Sequence, residues 1–129
     1  MTPSDLLFDT QAIIEWANGS LPKKVVGELA KPRTIYYSIV SPWELVIKGR
    51  YHLTGIDLSR FWTVVESLEA VRLEIKPLHL QRLTELPIMS DHRCPFDRML
   101  IAQAMAERLT LVGGDRRFAL YPQLQCLWS

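Results

Sequence analysis

The chain has 129 residues, 48% of them hydrophobic, and its 15 basic and 14 acidic side chains leave a formal charge of +1. This size predicts a single domain across residues 1–129 that buries a core without disulfides or structural metals. The near-zero charge excludes a general polyanion-binding surface, and two cysteines and three histidines lack zinc-ligand spacing. Because no signal peptide and no apolar run near the roughly 18 residues of a membrane span is visible, we expect a cytoplasmic chain with no membrane partner.

Strands and helices are predicted to alternate along the whole chain. Apolar and β-branched runs predict strands at 6–9, 34–40, 71–75, 110–112 and 124–128. Helical spacing and Pro or Gly boundaries predict helices at 10–17, 22–32, 41–48, 58–70, 78–86 and 95–109, then a helical turn at 116–121. This alternation is typical of the α/β class, with a mostly parallel sheet covered by helices on both faces.

Four acidic residues fall at the ends of these predicted elements. Asp9 closes the first strand, and Asp115 follows the fourth. Glu44 stands in the segment that opens the third helix, and Asp97 lies at the start of the longest helix. Since the carboxyl ends of parallel strands share one edge, we expect the four carboxylates to collect there and to need a cation between them. Oxygen ligands suit Mg²⁺ or Mn²⁺, and such a pocket best serves attack of water on a phosphodiester.

Each acid also has a purely structural explanation. Asp9 can cap the helix that follows it, and Glu44 can complete a capping box that starts at Ser41. Asp97 can interact with the positive end of its helix dipole, and Asp115 can serve the turn after two glycines. The residues alone leave both explanations open.

Basic residues and glycines lie close to the acids in sequence. Lys48, Arg98 and Arg116 each follow one acid and are candidates for holding a phosphate backbone, although flanking basic residues are as often simply solvated. Gly113 and Gly114 lack the spacing of a P-loop or dinucleotide fingerprint. We expect them to let the backbone approach the site closely.

Four segments closely resemble PIN-domain proteins, in particular the VapC-type toxins of bacterial toxin–antitoxin pairs. They are LLFDT at 6–10, SIVSPWELVIK at 38–48, PFDRMLIAQA at 95–104 and LVGGD at 111–115. The resemblance covers essentially the whole chain in order. Its specific motifs are the Trp-Glu and Pro-Phe-Asp-Arg segments.

The resemblance implies a three-layer α/β/α sandwich and a homodimeric endoribonuclease that depends on Mg²⁺ or Mn²⁺. Its catalytic quartet falls on Asp9, Glu44, Asp97 and Asp115. Direct metal contact is expected from Asp9 and Asp97, and from Asp115 and Glu44 either directly or through water. The alternatives are a catalytically weak PIN domain that binds RNA or a protein partner, and a metal-dependent nuclease that acts on DNA.

The toxin resemblance also implies a cognate antitoxin, which would dock an apolar segment and reach a basic side chain toward the acids. The expected groove residues are Trp43, Ile47, Tyr51 and Phe61. The first three recur every four residues and form one stripe if the helix continues past Gly49. Core packing is an equally good explanation for Trp43 and Ile47, so Tyr51 and Phe61 are expected to be the more exposed.

Two positions depart from the family pattern. Cys94 stands where members usually have Asp, and Gly113 where they usually have Thr or Ser. A thiol is a poor N-cap for the helix that begins at Pro95, so Cys94→Asp is expected to raise stability by roughly 0.5–2 kcal/mol.

Overall fold

The computed structural model describes residues 4–49, 56–90 and 94–128. Its strands are β1 (Leu6–Phe8), β2 (Ile35–Ser38), β3 (Val71–Leu73), β4 (Thr110–Val112) and β5 (Cys126–Leu127). Its helices are α1 (Thr10–Ala17), α2 (Lys23–Leu29), α3 (Val40–Gly49), α4 (Leu58–Ser67), α5 (Pro77–Glu85) and α6 (Pro95–Glu107), and a 3-10 turn covers Arg116–Leu120. The strands are all parallel, in the order β3-β2-β1-β4-β5. The predicted α/β class is confirmed.

The sheet separates two apolar cores, because successive side chains of a strand point to opposite faces. Leu6 and Phe8 of β1 belong to one core, together with residues of α1, α2 and α4. Leu7 belongs to the other, together with residues of α5 and α6. This arrangement is the predicted three-layer α/β/α sandwich. No helix within the described ranges is long and apolar enough to cross a membrane.

The sheet order reverses next to its central strand. From β1 the chain moves outward to β2 and β3, and it returns on the other side of β1 as β4 and β5. Phe8 at the end of β1 pairs with Val112 at the end of β4. Ligands of open α/β sheets bind outside the carboxyl ends of the strands at this kind of reversal. The residues that follow Phe8 and Val112 therefore lie at the expected binding edge.

The start of α3 differs from the prediction. Ser38 Oγ accepts a hydrogen bond from the Val40 amide at 3.0 Å, and the helix begins at Val40. The second strand therefore ends at Ser38, although β-branched residues follow it. Because Ser41 already lies inside the helix, the predicted capping box between Ser41 and Glu44 is wrong.

Candidate active site

Asp9 is positioned by the sheet and by α1 together. Its amide donates to the Val112 carbonyl at 2.9 Å, and its Oδ1 accepts a hydrogen bond from the Ala12 amide at 2.7 Å. Asp9 is only 5% exposed. Burial raises the pKa of Asp9 to about 7; the Ala12 amide opposes this rise, and the charges of three neighbouring carboxylates add to it. The helix-capping role is therefore real, and it does not account for the burial of this charge.

All four predicted acids line one cavity. It has a volume of about 300 Å³ and is bounded by Asp9, Glu44, Asp97 and Asp115. Its other lining residues are Thr10, Gln11, Ile14, Leu45, Lys48 and Arg117. Because its lining residues carry four carboxylates and two basic side chains, Lys48 and Arg117, the cavity is acidic.

Glu44 is held from two sides and is 5% exposed. Thr10 Oγ1 donates to Glu44 Oε1 at 2.6 Å, and Thr10 in turn lies 3.0 Å from Ser41 Oγ, which donates to it. Lys48 Nζ lies 2.5 Å from Glu44 Oε2, and this hydrogen bond raises the pKa of Lys48. Hydroxyl groups of Thr10 and Ser41 thus set the position of the Glu44 side chain, a role that the sequence reasoning missed although both residues lie inside the segments that it had singled out.

Asp97 and Asp115 approach the cavity from different elements. Asp97 is the third residue of α6 and its charge contributes to the raised pKa of Asp9. Asp115 caps the 3-10 turn and forms a bidentate pair with Arg117, at 3.0 Å from Nε to Oδ1 and 2.8 Å from Nη2 to Oδ2. This pair raises the pKa of Arg117.

The predicted basic residues have different fates. Lys48 lines the cavity, whereas Arg98 and Arg116 are not among its lining residues in the described part of the chain. The Arg98 guanidinium instead donates to the Pro87 carbonyl at 2.9 Å and to the Tyr121 hydroxyl at 3.1 Å. Arg117 lines the cavity in place of Arg116, because the 3-10 turn directs it back onto the aspartate that caps the turn. Sequence alone gave no means of choosing between two adjacent arginines.

The apolar residues proposed to receive a partner also divide. Trp43 and Ile47 are 51% and 40% exposed, and Val46 between them is 43% exposed, so α3 presents an apolar strip. Phe61 is fully buried, which corrects the expectation that it is exposed: its ring lies edge-on against Tyr37 at 5.6 Å. Tyr51 lies outside the described residues. The suggested core packing does not hold for Ile47, whereas the Trp43 ring packs in a T-shaped arrangement against Phe96 of α6, with ring centroids 4.9 Å apart.

Gly113 follows β4 and packs against the Asp9 side chain. A Cβ at this position would lie 2.2 Å from Asp9 Oδ2 and 2.7 Å from the Phe118 ring. At Gly114 a Cβ would instead meet the Trp128 indole at 2.7 Å. The prediction that glycine permits close backbone approach to the site is confirmed for Gly113.

The sequence profile of the PIN domain matches residues 6–124. The chain belongs to the PIN-domain family. A comparison with curated proteins gave no match.

Solved structures of similar fold cover nearly the whole of this PIN domain. The VapBC2 structure from Rickettsia felis, bound to a DNA fragment from its promoter, is 18% identical over 96% of this chain and 98% of that chain, with a TM-score of 0.68. A toxin–antitoxin complex from Klebsiella pneumoniae is 23% identical over 93% and 95%, with a TM-score of 0.65. VapBC-5 from Mycobacterium tuberculosis is 17% identical over 98% and 100%, also with a TM-score of 0.65.

The donor set of this PIN domain fits a hard divalent cation. Asp9 is buried, and among the described residues only the Ala12 amide donates a hydrogen bond to its carboxylate. No basic side chain of the described ranges pairs with it. Oxygen donors on one strand end, two helices and one turn surround the same space, as Mg²⁺ or Mn²⁺ requires.

Cys94 lies beside this set of oxygens, although it is not among the cavity's lining residues in the described part of the chain. It stands at the N-cap of α6 without making a capping hydrogen bond, and it is partly buried against the core formed by α5 and α6. Burial raises the pKa of its thiol. The Cys94 sulfur and carboxylate oxygens of Glu44 and Asp97 all lie within 4.8 Å of one another.

Proposed function

We propose that this PIN domain is a Mg²⁺- or Mn²⁺-dependent endoribonuclease that acts as the toxin of a toxin–antitoxin pair. The observation that supports it most strongly is the cavity in which Asp9, Glu44, Asp97 and Asp115 converge, with Asp9 buried and without a basic partner among the described residues. Family membership adds that the cavity lies in a fold whose known relatives include toxin–antitoxin complexes. The proposal treats residues 1–129 as one nuclease domain.

Asp9 and Asp97 are the proposed direct ligands of the cation, and Asp115 and Glu44 contact it directly or through water. A bound Mg²⁺ or Mn²⁺ would lower the pKa of a water molecule and offset the charge that develops on the phosphate oxygens. The pairs that Glu44 makes with Lys48 and Asp115 makes with Arg117 fix these two carboxylates before substrate arrives. Because burial excludes competing water from Asp9, its charge acts strongly on whatever the cavity holds.

The proposed substrate is the phosphodiester backbone of RNA. Lys48 and Arg117 line the cavity and offer donors to phosphate oxygens, at the cost of loosening their present pairs. In-line attack of water would leave a 5′-phosphate and a 3′-hydroxyl. Arg116 is exposed beside Arg117 and remains a candidate for contacts further along the strand. Arg98 is engaged by the Pro87 carbonyl and is a weaker candidate.

The proposed partner is a small antitoxin whose apolar segment covers the strip of Trp43, Val46 and Ile47. The strip lies on the same helix as Glu44 and Lys48, so a basic side chain of a bound segment would reach the acidic cavity. The VapBC complexes of similar fold support this partner. A homodimer and a cytoplasmic location complete the proposal.

Cleavage with matched variants tests the enzyme. Labelled RNA and DNA of the same sequence are incubated with Mg²⁺, Mn²⁺ or a chelator. We expect Asp9→Asn and Asp97→Asn to lower RNA cleavage by roughly 100-fold or more, since even outer-shell changes cost about 10- to 100-fold. The control is Asp57→Asn. Asp57 lies outside the cavity and caps α4 by accepting a hydrogen bond from the Arg60 amide at 2.8 Å, so this variant should cleave RNA at the parental rate.

The outcomes separate the alternatives. Cleavage of DNA alone would replace the ribonuclease with a deoxyribonuclease. RNA binding without cleavage in any metal would favour the catalytically weak PIN domain. Parental cleavage by Asp9→Asn would remove the metal-site assignment.

A growth and binding experiment tests the toxin role. Expression of the chain alone should arrest growth, and co-expression of the small neighbouring gene should relieve the arrest. Ile47→Asp should weaken capture of that small protein by about tenfold or more, whereas Val26→Asp, at a 50% exposed residue of α2, should not. Unaffected growth with folded product would exclude the toxin.

A further inference from the structure

Cys94 places a sulfur beside two of the carboxylates that line the acidic cavity, although Cys94 itself is not among the lining residues in the described part of the chain. Its sulfur lies within 4.8 Å of carboxylate oxygens of both Glu44 and Asp97. Small rotations of these side chains would bring all three atoms onto one cation, since metal–sulfur and metal–oxygen bonds are about 2.3 and 2.0–2.2 Å long. Two of the three, Glu44 and Asp97, also line the cavity of the proposed active site.

Asp9 supplies an independent reason to expect a cation here. Its side chain is nine-tenths buried and lines the same cavity, and among the described residues no donor other than the Ala12 amide reaches it. A buried carboxylate that faces three others calls for a positive charge in the space between them. Asp9 does not belong to the group formed with the thiol, and the two observations meet at Glu44 and Asp97, which belong to that group and line the cavity together with Asp9.

The identity of the ligand atoms determines which cation is preferred. Carboxylate and water oxygens suit Mg²⁺, whereas a thiolate selects softer ions such as Zn²⁺ and Cd²⁺, and Mg²⁺ gains little from sulfur. We propose that Cys94, together with Glu44 and Asp97, makes this cavity a binding site for thiophilic divalent cations. The inference rests on the proposed function in so far as both place a cation among the same carboxylates.

Binding replaces the thiol proton. The sulfur coordinates as thiolate, so each ion bound through Cys94 releases one proton to solvent, and affinity rises with pH. An Asp at this position would offer oxygen instead. Cys94 thus acts as a specificity-determining residue: it decides which divalent ions compete for the site, while the carboxylates provide the charge.

Cadmium is the probe, because its bond to thiolate gives an ultraviolet charge-transfer band that carboxylates do not give. The full chain, freed of metal with a chelator and kept reduced, is titrated with Cd²⁺, and Cd²⁺ and Mg²⁺ affinities are measured by calorimetry. The variants are Cys94→Ser, Cys94→Asp and, as a control, Cys126→Ser. The sequence has two cysteines, so the control removes the other thiol.

We expect the band in the parent and in Cys126→Ser, and its loss in both Cys94 variants. The ratio of Cd²⁺ to Mg²⁺ affinity should fall at least about tenfold in Cys94→Asp, as for removal of a group that holds or orients a metal ligand. Cd²⁺ should also protect Cys94 of the parent from alkylation by iodoacetamide, a readout by mass spectrometry that needs no variant.

Three results overturn the inference: no Cd²⁺ binding by the parent, binding without the band, or a band that survives in Cys94→Ser. Cleavage of RNA in Mn²⁺ is measured separately. A band without cleavage would sink the proposed ribonuclease and leave the thiophilic site standing. Cleavage without a band would do the reverse.

Discussion

Two groups of polar side chains in this protein differ in how their charges are compensated. At the opposite end of α6 from Asp97, His79 is fully buried: its Nδ1 accepts from the Lys76 amide at 3.0 Å, and its Nε2 therefore donates to Glu107 at 2.7 Å. Lys76 Nζ also reaches Glu107 at 3.3 Å, and Gln103 ties the group to the Glu74 carbonyl at 3.2 Å. The donors, acceptors and charges of this group pair with one another, except Gln103 Oε1, which is buried without a hydrogen-bond partner among the described residues.

The acidic cavity lacks that balance. Four carboxylates face two basic side chains, and Asp9, which is buried and has a raised pKa, has no basic partner in the described part of the chain. Burial of charge without compensation is costly, and it persists in proteins mainly where a ligand supplies the missing charge. Burial of polar groups alone therefore does not indicate a binding site, whereas buried charge that no neighbouring side chain compensates does.

The two regions should respond to pH in opposite directions, which is the largest effect that we expect on stability. The folded-state pKa of Asp9, about 7, exceeds its ordinary value of 3.8, so its stabilising contribution is complete below that value and is lost as pH rises to about 7. His79 and Lys76 hold the pKa of Glu107 below its ordinary 4.5, so its contribution is present above that value and is lost as pH falls.

Urea unfolding in chelator at about pH 5 and about pH 8 measures the contribution of Asp9 to the free energy of unfolding. From the lower to the higher pH, the free energy of unfolding of the parent should fall by about 2–4 kcal/mol more than that of Asp9→Asn, whose amide does not titrate. Mn²⁺ should restore the stability of the parent at the higher pH, because the ion binds the folded state. Equal pH dependence in the two proteins would show that Asp9 does not carry an uncompensated charge.

The balanced group should matter for stability and not for activity. His79→Ala removes a buried ring and leaves the Lys76 amide and the Glu107 carboxylate without their partner, so we expect a loss of about 2–3 kcal/mol in the free energy of unfolding. RNA cleavage per folded molecule should stay near the parental rate. A large drop in cleavage with little change in stability would give His79 a role that its contacts do not suggest.

The sequence could predict some features of these two groups and not others. The ends of the strands that precede Asp9 and Asp115 could be predicted, because apolar runs are encoded locally. The satisfied environment of His79 could not, since its partners lie on other elements or across the helix start. The burial of Phe61 against Tyr37 likewise depends on how α4 meets β2. Long-range packing decided each of these cases.

A methyl group at Gly113 probes the site more gently than removal of a carboxylate. Gly113→Ala places its Cβ 2.2 Å from Asp9 Oδ2, so the carboxylate must move, and we expect a loss of about 1–3 kcal/mol together with weaker Mn²⁺ binding. Gly27→Ala is the matched control: it lies in α2 with nothing within 4 Å of its Cβ, and should gain about 0.5–1 kcal/mol. Unchanged Mn²⁺ affinity in Gly113→Ala would mean that Asp9 tolerates displacement.

The smallest effect should come from Cys94→Asp, and its sign should depend on metal. Asp is a good N-cap, and the Phe96 and Asp97 amides lie beside the present thiol, so capping favours the variant by about 0.5–2 kcal/mol. A further carboxylate beside Glu44 and Asp97 opposes this gain until a cation is bound. We therefore expect little change in melting temperature in chelator and an increase with Mn²⁺.

The reciprocal change at a cap outside the cavity provides the control. Asp57→Cys removes the bond to the Arg60 amide and should cost about 1 kcal/mol, equally with and without Mn²⁺, because among the described residues no other carboxylate takes part in that cap. If Cys94→Asp lowers the melting temperature in both conditions, apolar packing of the thiol against the α5 and α6 core outweighs capping. If it raises the melting temperature equally in both, position 94 does not sense the acidic cavity, and the contrast between the two buried groups weakens at the very residue where this chain departs from its family.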